Sequence, residues 1–219
     1  MGRTRLLQDL ASRIDLVKPG HPVRAAIDGV DAAGKTILAD ELAEHLTALG
    51  RSVIRASIDG FHLPAPVRHR LGSLSPEGYY LDSFAYDSLI DKLLQPLGPG
   101  GDGRYQTAVF DYRTASAIDA ATLAAPADAI LLFDGVFLLR PELRAYWDFA
   151  VFLRVDFAVA IARAEQRDRA LFGTVAQVRE RYARRYVPGQ QLYFSATAPE
   201  SQADVVIDNN DPAAPFVVQ

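Results

Sequence analysis

The sequence predicts an α/β three-layer sandwich: a five-stranded parallel β-sheet with helices on both faces. Three observations predict it. The apolar runs AILLFDG (129–135) and WDFAVFLRV (147–155) are continuous rather than alternating, as strands covered by helices on both faces require. Such runs take turns with segments whose apolar residues recur at helical spacing, the order of strands linked by helical crossovers. A glycine-containing turn, GVDAAGKT (29–36), stands between the first apolar run and the helical segment that follows it.

The elements follow in order. Residues 4–17 carry Leu6, Leu7, Leu10, Ile14 and Val17 at helical spacing, and Pro19, Gly20 and Pro22 stop that helix. Residues 23–28 read as a buried strand. Residues 35–49 repeat at helix period, and Gly50 follows in the position that caps a helix C-terminus. SVIRASID (52–59) reads as the second strand. Residues 60–83, with three Pro and three Gly, read as mostly loop. Residues 84–95 read as a helix, 97–103 as a flexible turn and 105–112 as a short strand. The third and fourth strands are 129–135 and 147–155. Two arginine-rich helices at 157–170 and 174–185 precede a last strand, ADVVIDN (203–209).

Composition narrows the function classes. The 219 residues, 49% of them hydrophobic, suffice for one generous domain, and 1–219 is read as a single one. A net charge of -4 argues against a general nucleic-acid binder, which carries a basic excess. There is no Cys, hence no disulfide framework and no Cys-based zinc site, which fits a reducing compartment. The N-terminal segment lacks the apolar centre of a signal peptide, and no apolar run is long enough to span a bilayer. A soluble cytoplasmic protein without nucleic-acid or membrane partners is expected; the oligomeric state is left open.

The pattern G-x-x-x-x-G-K-[ST] is met by Gly29, Gly34, Lys35 and Thr36. A strand precedes it and a helix follows, which is the context a phosphate-binding loop needs. Glycines permit the backbone angles that turn N–H groups inward, and the helix N-terminus adds partial positive charge. Residues 29 and 31–36 (Gly29, Asp31, Ala32, Ala33, Gly34, Lys35 and Thr36) are therefore the candidate nucleotide-binding set, with Lys35 on the β and γ phosphates and Thr36 on Mg²⁺. No N-K-x-D motif is present, which disfavours a GTPase.

Two further acids end strands. Asp134 closes AILLFD, where a carboxylate facing the phosphate loop partners Mg²⁺ or a metal-bound water; the bland reading is a turn Asp before Gly135. Asp59 closes SVIRASID, beyond the carboxyl end of a parallel strand, where ligands sit. It can accept a proton from a substrate hydroxyl, or serve a D-G turn. Asp31 stands within the loop itself, beside the nucleophile or solvated.

The stretches GVDAAGKT, SIDGFHLP, SPEGYYLDSFAYDSL, FDGVFLL and RPELRAYWDFAVFLRVD together resemble the uridine kinase family of P-loop nucleoside kinases, and more widely phosphoribulokinase and bacterial pantothenate kinase. The resemblance runs through nearly the whole chain after residue 20. It implies that Asp59 takes the proton from a nucleoside 5′-hydroxyl and that Asp134 stands where the family has Glu, one methylene shorter. It implies that Tyr80 and Asp82 pack and hydrogen-bond the acceptor. Phe110, Asp111 and Tyr112 resemble the family's Y-D-F stretch, and no base-contacting His follows them. It makes 60–112 an insertion over the acceptor and 157–195 a lid. Arg163 and Arg167 are i,i+4 on one helix face; with Glu165 and Asp168 nearby they read alone as an ion-paired surface helix. By resemblance they close over ATP phosphates.

His62 is read either as lining the acceptor site or as a solvated loop residue. Arg68 and Arg70 are a solvated charge run or face an anionic or polar acceptor. Tyr79, Tyr80, Phe84 and Tyr86 are base-stacking candidates of which half belong to the core. The expected activity is transfer of phosphate from Mg·ATP to a small hydroxyl acceptor, a pyrimidine nucleoside such as uridine or cytidine. The rivals are pantothenate, a sugar or another metabolite as acceptor, or a nucleotide-binding ATPase that transfers nothing.

Overall fold

The computed structural model describes residues 2–218. Its central sheet is built from β1 (Val23–Gly29), β2 (Val53–Ser57), β3 (Ile130–Asp134), β4 (Phe149–Arg154), β5 (Val205–Asp208) and β6 (Phe216–Val217). The spatial order is β6-β5-β4-β1-β3-β2. The first five are parallel; Ala26 of β1 faces Phe133 of β3 on one side and Ala150 of β4 on the other. The sheet therefore has six strands where the sequence predicts five. The sixth runs antiparallel on β5, pairing Phe216 with Asp208 and Val217 with Ile207.

Helices α1 (Arg3–Leu16) and α2 (Lys35–Ala48) pack on one face. Alternation along each strand divides its side chains between two cores. Ala25, Ile27, Leu132 and Val151 join Leu10, Ile14, Leu42 and Leu46 of the two helices. Ala26, Leu131, Phe133 and Phe152 join Phe61, Leu93, Phe137, Trp147 and Tyr193 on the opposite face. Each large apolar side chain so buried contributes roughly 2 kcal/mol, which explains why the strands in the middle of the sheet are mostly apolar and buried on both faces.

The segment 60–83 is more ordered than predicted. After β2 the chain makes a 3₁₀ turn, Ile58–Phe61, so Asp59 lies just beyond the strand rather than in it. A single helical turn, Ala65–Arg68, is followed by α3 (Pro76–Asp82). Ser75 caps α3 by accepting from the Gly78 N–H at 3.0 Å, and Pro76 occupies the first turn, where its missing N–H costs nothing. Next come α4 (Tyr86–Leu89) and a π-helical turn, Ile90–Leu94. In place of one strand at 105–112, two short strands form: Arg104–Tyr105 pairs with Leu123–Ala124 and Phe110–Asp111 with Ser116–Ala117.

The C-terminal half carries α5 (Phe157–Arg167), a turn at Arg169–Phe172, α6 (Val175–Arg181) with a π-helical turn at Tyr182–Tyr186, and α7 (Val187–Thr197). The predicted helix end at 185 is thus not an end: Pro188 falls in the first turn of α7, where it is tolerated. Gly189 lets α7 lie against α3, because a Cβ there would come within 2.8 Å of Tyr79 and 3.0 Å of the Pro76 carbonyl. Among the described residues no helix is long and apolar enough to cross a membrane.

Candidate active site

A cleft of about 690 Å³ opens beyond the carboxyl ends of the strands, lined by the start of α2, the 3₁₀ turn, the end of β3 and the α5–α6 region. Its floor is the loop after β1. Ala32 and Gly34 adopt left-handed backbone, with φ of 58° and 95°, the conformations that turn successive N–H groups toward one side. The Asn209 side-chain amide, just past β5, donates to the Ala33 carbonyl at 2.7 Å and braces the loop. The Lys35 ammonium spans the loop, donating to the carbonyls of Gly29 (3.0 Å) and Val30 (2.7 Å). Burial lowers its pKa, and the carboxylates of Asp31, Asp28 and Asp134 oppose that fall.

Thr36, in the first turn of α2, donates its hydroxyl to Asp134 at 2.6 Å, and Arg55 donates to the other Asp134 oxygen at 2.9 Å. Asp134 is only 2% exposed. A hydroxyl and a fixed carboxylate side by side, next to a nest of N–H groups and a lysine, fit the chemistry of a nucleotide triphosphate with its divalent cation: hard oxygen donors, few of them, the remainder coming from phosphate and water.

Asp59 opens into the same cleft. Crowding by protein raises its pKa; His62 and Lys35 pull it down, and the charges of Asp31 and Asp134 push it up. The His62 ring stands 4.7 Å from those of Phe84 and Tyr112, and its Nδ1 lies 3.0 Å from the Asp59 carbonyl. Burial lowers the pKa of His62, and the Asp59 carbonyl and carboxylate partly counter this. Asp31 accepts from the Tyr79 hydroxyl at 2.7 Å and the Gln190 amide at 2.6 Å. These bonds tie the phosphate loop to α3 and α7.

The residues singled out in the sequence are distributed unevenly. Asp31, Lys35, Thr36, Asp59, His62, Asp134 and Arg167 all face the cleft. Arg167 is exposed there, paired with Asp168 and within 3.3 Å of the Tyr182 hydroxyl. Arg163 points elsewhere: it donates to the carbonyls of Asn209 (2.8 Å) and Asn210 (3.0 Å), pinning α5 to the end of β5. Tyr80 packs on Phe137 and under the Arg140 guanidinium. Asp82 pairs with Arg70. Asp111 closes a hairpin by accepting from the N–H groups of Arg113 (2.8 Å) and Thr114 (3.4 Å). Those three lie outside the cleft wall, which is formed instead by their neighbours Tyr79, Tyr112 and Arg113.

One acid escapes the sequence reading altogether. Asp28 is fully buried at the end of β1 and accepts from the N–H groups of Gly29, Leu138 and Leu139 and from the Tyr193 hydroxyl. It fastens the turn after β3 to the loop after β1. Burial pushes its pKa up to about 6 against the pull of these donors. In the sequence it falls at the end of the strand predicted over 23–28, with nothing to mark it off from the other strand residues.

A phosphate-binding loop at the head of a parallel sheet, facing a strand-end carboxylate and an arginine-bearing helical region, defines a P-loop kinase fold. The chain belongs to the cytidylate kinase-like family, whose model matches residues 25–211. Solved structures agree on the fold. A possible uridine kinase from Bacillus stearothermophilus superimposes with a TM-score of 0.72 at 23% identity, over 93% of this chain and 98% of that one. A candidate fructose transport system kinase from Silicibacter sp. TM1040 gives 0.73 at 25% identity, over 90% and 96%. Phosphoribulokinase from Rhodobacter spheroides gives 0.60 at 17%, over 87% and 70%. No curated protein matches the chain in sequence.

Proposed function

We propose that this protein transfers a phosphoryl group from ATP to the hydroxyl of a small acceptor, a pyrimidine nucleoside such as uridine or cytidine. The observation that carries the reading is the convergence of Asp59 with Lys35, Thr36 and Asp134 on one cleft. Lys35 and the loop N–H groups would hold the phosphates of ATP, and Thr36 with Asp134 would hold Mg²⁺. When bound, these supply the phosphoryl group and offset the charge it carries in transfer.

The chain's own groups do the rest. Asp59 takes the proton of the acceptor hydroxyl, and its raised pKa makes it a stronger base than an ordinary carboxylate. Arg167 sits where a guanidinium stabilises charge on a moving phosphoryl group. Leu171 and Phe172, also on the cleft wall, exclude water and so suppress hydrolysis. His62, Phe84 and Tyr112 form an aromatic wall beside Asp59 on which a base or sugar ring packs.

A second reading keeps the chemistry and makes the acceptor a sugar or another metabolite. The cleft wall supports it by holding no Asn or Gln side chain among the described residues, the groups best suited to reading a base edge. ADP release with Mg·ATP, alone and with uridine, cytidine, adenosine, pantothenate and fructose, tests both. A pyrimidine-dependent rise supports the first reading, and a rise with fructose or pantothenate alone replaces it with the second. No rise with any of these acceptors, beside measurable ATP binding, overturns the nucleoside reading and leaves an acceptor outside the panel or a nucleotide-binding protein that transfers nothing.

A further inference from the structure

The turn after β3 holds a bulky side chain on left-handed backbone. Phe137 has φ of 64°; among the described residues the other non-glycine positions of that kind are Ala32, Ala115 and Ala198. A residue with a β-carbon is strained in this region, and such strain persists only where the surroundings hold it. Phe137 is fully buried, so contact with solvent does not explain the bend.

Asp28 supplies the hold. Left-handed backbone turns successive N–H groups to one side and makes a concavity that suits an anion. After β3 the protein fills that concavity itself. The Leu138 and Leu139 N–H groups donate to one Asp28 carboxylate oxygen at 3.1 and 3.2 Å. The Tyr193 hydroxyl donates to the same oxygen, and the Gly29 N–H to the other at 2.7 Å. A fully buried carboxylate is costly to keep, and these four donors offset its burial. Asn does not substitute for it, because its amide NH2 would face an N–H or the hydroxyl on either side.

What the bend achieves is the placement of one ring. The Phe137 ring lies edge-on to Tyr79 at 4.9 Å and to Phe84 at 6.5 Å between centroids. Tyr79 and Phe84 line the cleft, and Phe137 packs behind them. Gly135 and Val136, in the same turn, line the cleft directly.

Resting on the phosphotransfer reading above, we propose that Asp28 and Phe137 are positioning residues for the acceptor. Asp28 holds the bend, the bend fixes the Phe137 ring, and the ring sets how far Tyr79 and Phe84 reach into the cleft. Neither residue touches the acceptor. A close-packed interior transmits such a displacement instead of absorbing it, so the pair adjusts which acceptor the wall admits.

The test has two arms, both with the full chain at pH 8, where Asp28 is ionised, its pKa being pushed up to about 6. The first is ADP release with Mg·ATP and whichever of uridine, cytidine, adenosine, pantothenate and fructose wild type turns over fastest. Phe137→Gly should raise the acceptor KM about tenfold and leave the KM for ATP unchanged. Asp28→Asn should raise the acceptor KM by a similar factor. Because both act through one turn, the double variant should again show about tenfold, not the roughly hundredfold of independent effects. Tyr193→Phe, which removes one donor and keeps the ring, should raise the acceptor KM about fivefold and decides the matter if Asp28→Asn does not fold.

The second arm needs no acceptor. Trp147, the single Trp, is 4% exposed and donates its Nε1–H to the Leu138 carbonyl at 2.7 Å, so its fluorescence reports on the turn. Asp28→Asn should move its emission to longer wavelength. Phe137→Gly should also melt above Phe137→Ala, since only glycine suits φ of 64°. An unchanged acceptor KM in Phe137→Gly, an equal rise in both KM values, or effects that multiply in the double variant overturns this assignment and leaves the kinase reading standing. If no compound of the panel is turned over, the kinase reading falls to its alternatives and the Trp147 arm decides whether Asp28 holds the turn: a shift supports the hold, and unmoved emission overturns it.

Discussion

The Thr36 hydroxyl donates to the Asp134 carboxylate over 2.6 Å, joining the first turn of α2 to the end of β3. With Arg55 on the other oxygen, the carboxylate is held in one orientation. Asp134→Asn preserves the shape and removes the charge. It should raise the Mg²⁺ concentration for half-maximal turnover about 10–100-fold, the usual cost of disturbing a metal site. A metal titration of ADP release checks this, and an unchanged requirement would remove Asp134 from the metal site.

Lys35 is the one ammonium on the phosphate loop, held by two loop carbonyls. Lys35→Ala should abolish turnover and leave the far-ultraviolet circular dichroism and thermal transition close to wild type, since the side chain holds no distant element. Full activity in that variant would sink the phosphate-loop assignment.

Asp59 works as a base only when ionised. Because crowding raises its pKa, the acid limb of the kcat/KM profile should lie above the ordinary carboxylate range of about 4. Asp59→Asn should lose transfer, keep ATP binding by calorimetry and show no such limb. Wild-type transfer by the variant would require another base.

Asp28 links stability to pH. Its pKa rises from 3.8 unfolded to about 6 folded, so between those values the folded chain binds more protons than the unfolded one. Stability from this group is fully present below pH 4 and is lost as pH rises through about 6, by roughly 3 kcal/mol. The advantage of wild type over Asp28→Asn in denaturant melts should accordingly be larger at pH 4 than at pH 7. A gap independent of pH would show that Asp28 does not titrate in that window.

The two arginines predicted to act together in the lid should separate on mutation. Arg167 faces the cleft, and Arg167→Ala should lower kcat on the order of 10³-fold, as loss of a charge-stabilising arginine does. Arg163 clips α5 to Asn209 and Asn210, and Arg163→Ala should lower the melting temperature by a few degrees, about 1 kcal/mol, with a far smaller effect on kcat. Paired kinetics and melts of the two variants distinguish these outcomes; equal losses of kcat would put both on the phosphates.

Much of the fold was legible because its signals are local. The loop 29–36 is contiguous, and β3 and β4 are apolar runs closed only by a terminal Asp134 or Arg154, so neither needed a distant partner to be read. β6 was not legible: two residues, Phe216 and Val217, have no periodicity, and only the exposed edge of β5 makes them a strand. α3 was hidden among prolines, although Ser75 followed by Pro76 is a helix-start signal.

What the sequence by itself determined is the chemistry on the phosphate side: a loop, a lysine, a threonine and strand-end acids, each set by neighbours within a few positions. Tertiary structure alone decided the acceptor side. Whether Tyr79 or Tyr80 faces the cleft depends on where α3 begins, because one residue turns a helix by about 100°. Whether Arg68 or Arg70 is neutralised depends on Asp82, which reaches Arg70 alone. Arg185 finds its place only through packing against α3, more than a hundred residues away in the chain. Contacts of that sequence separation leave no local pattern for the sequence to show.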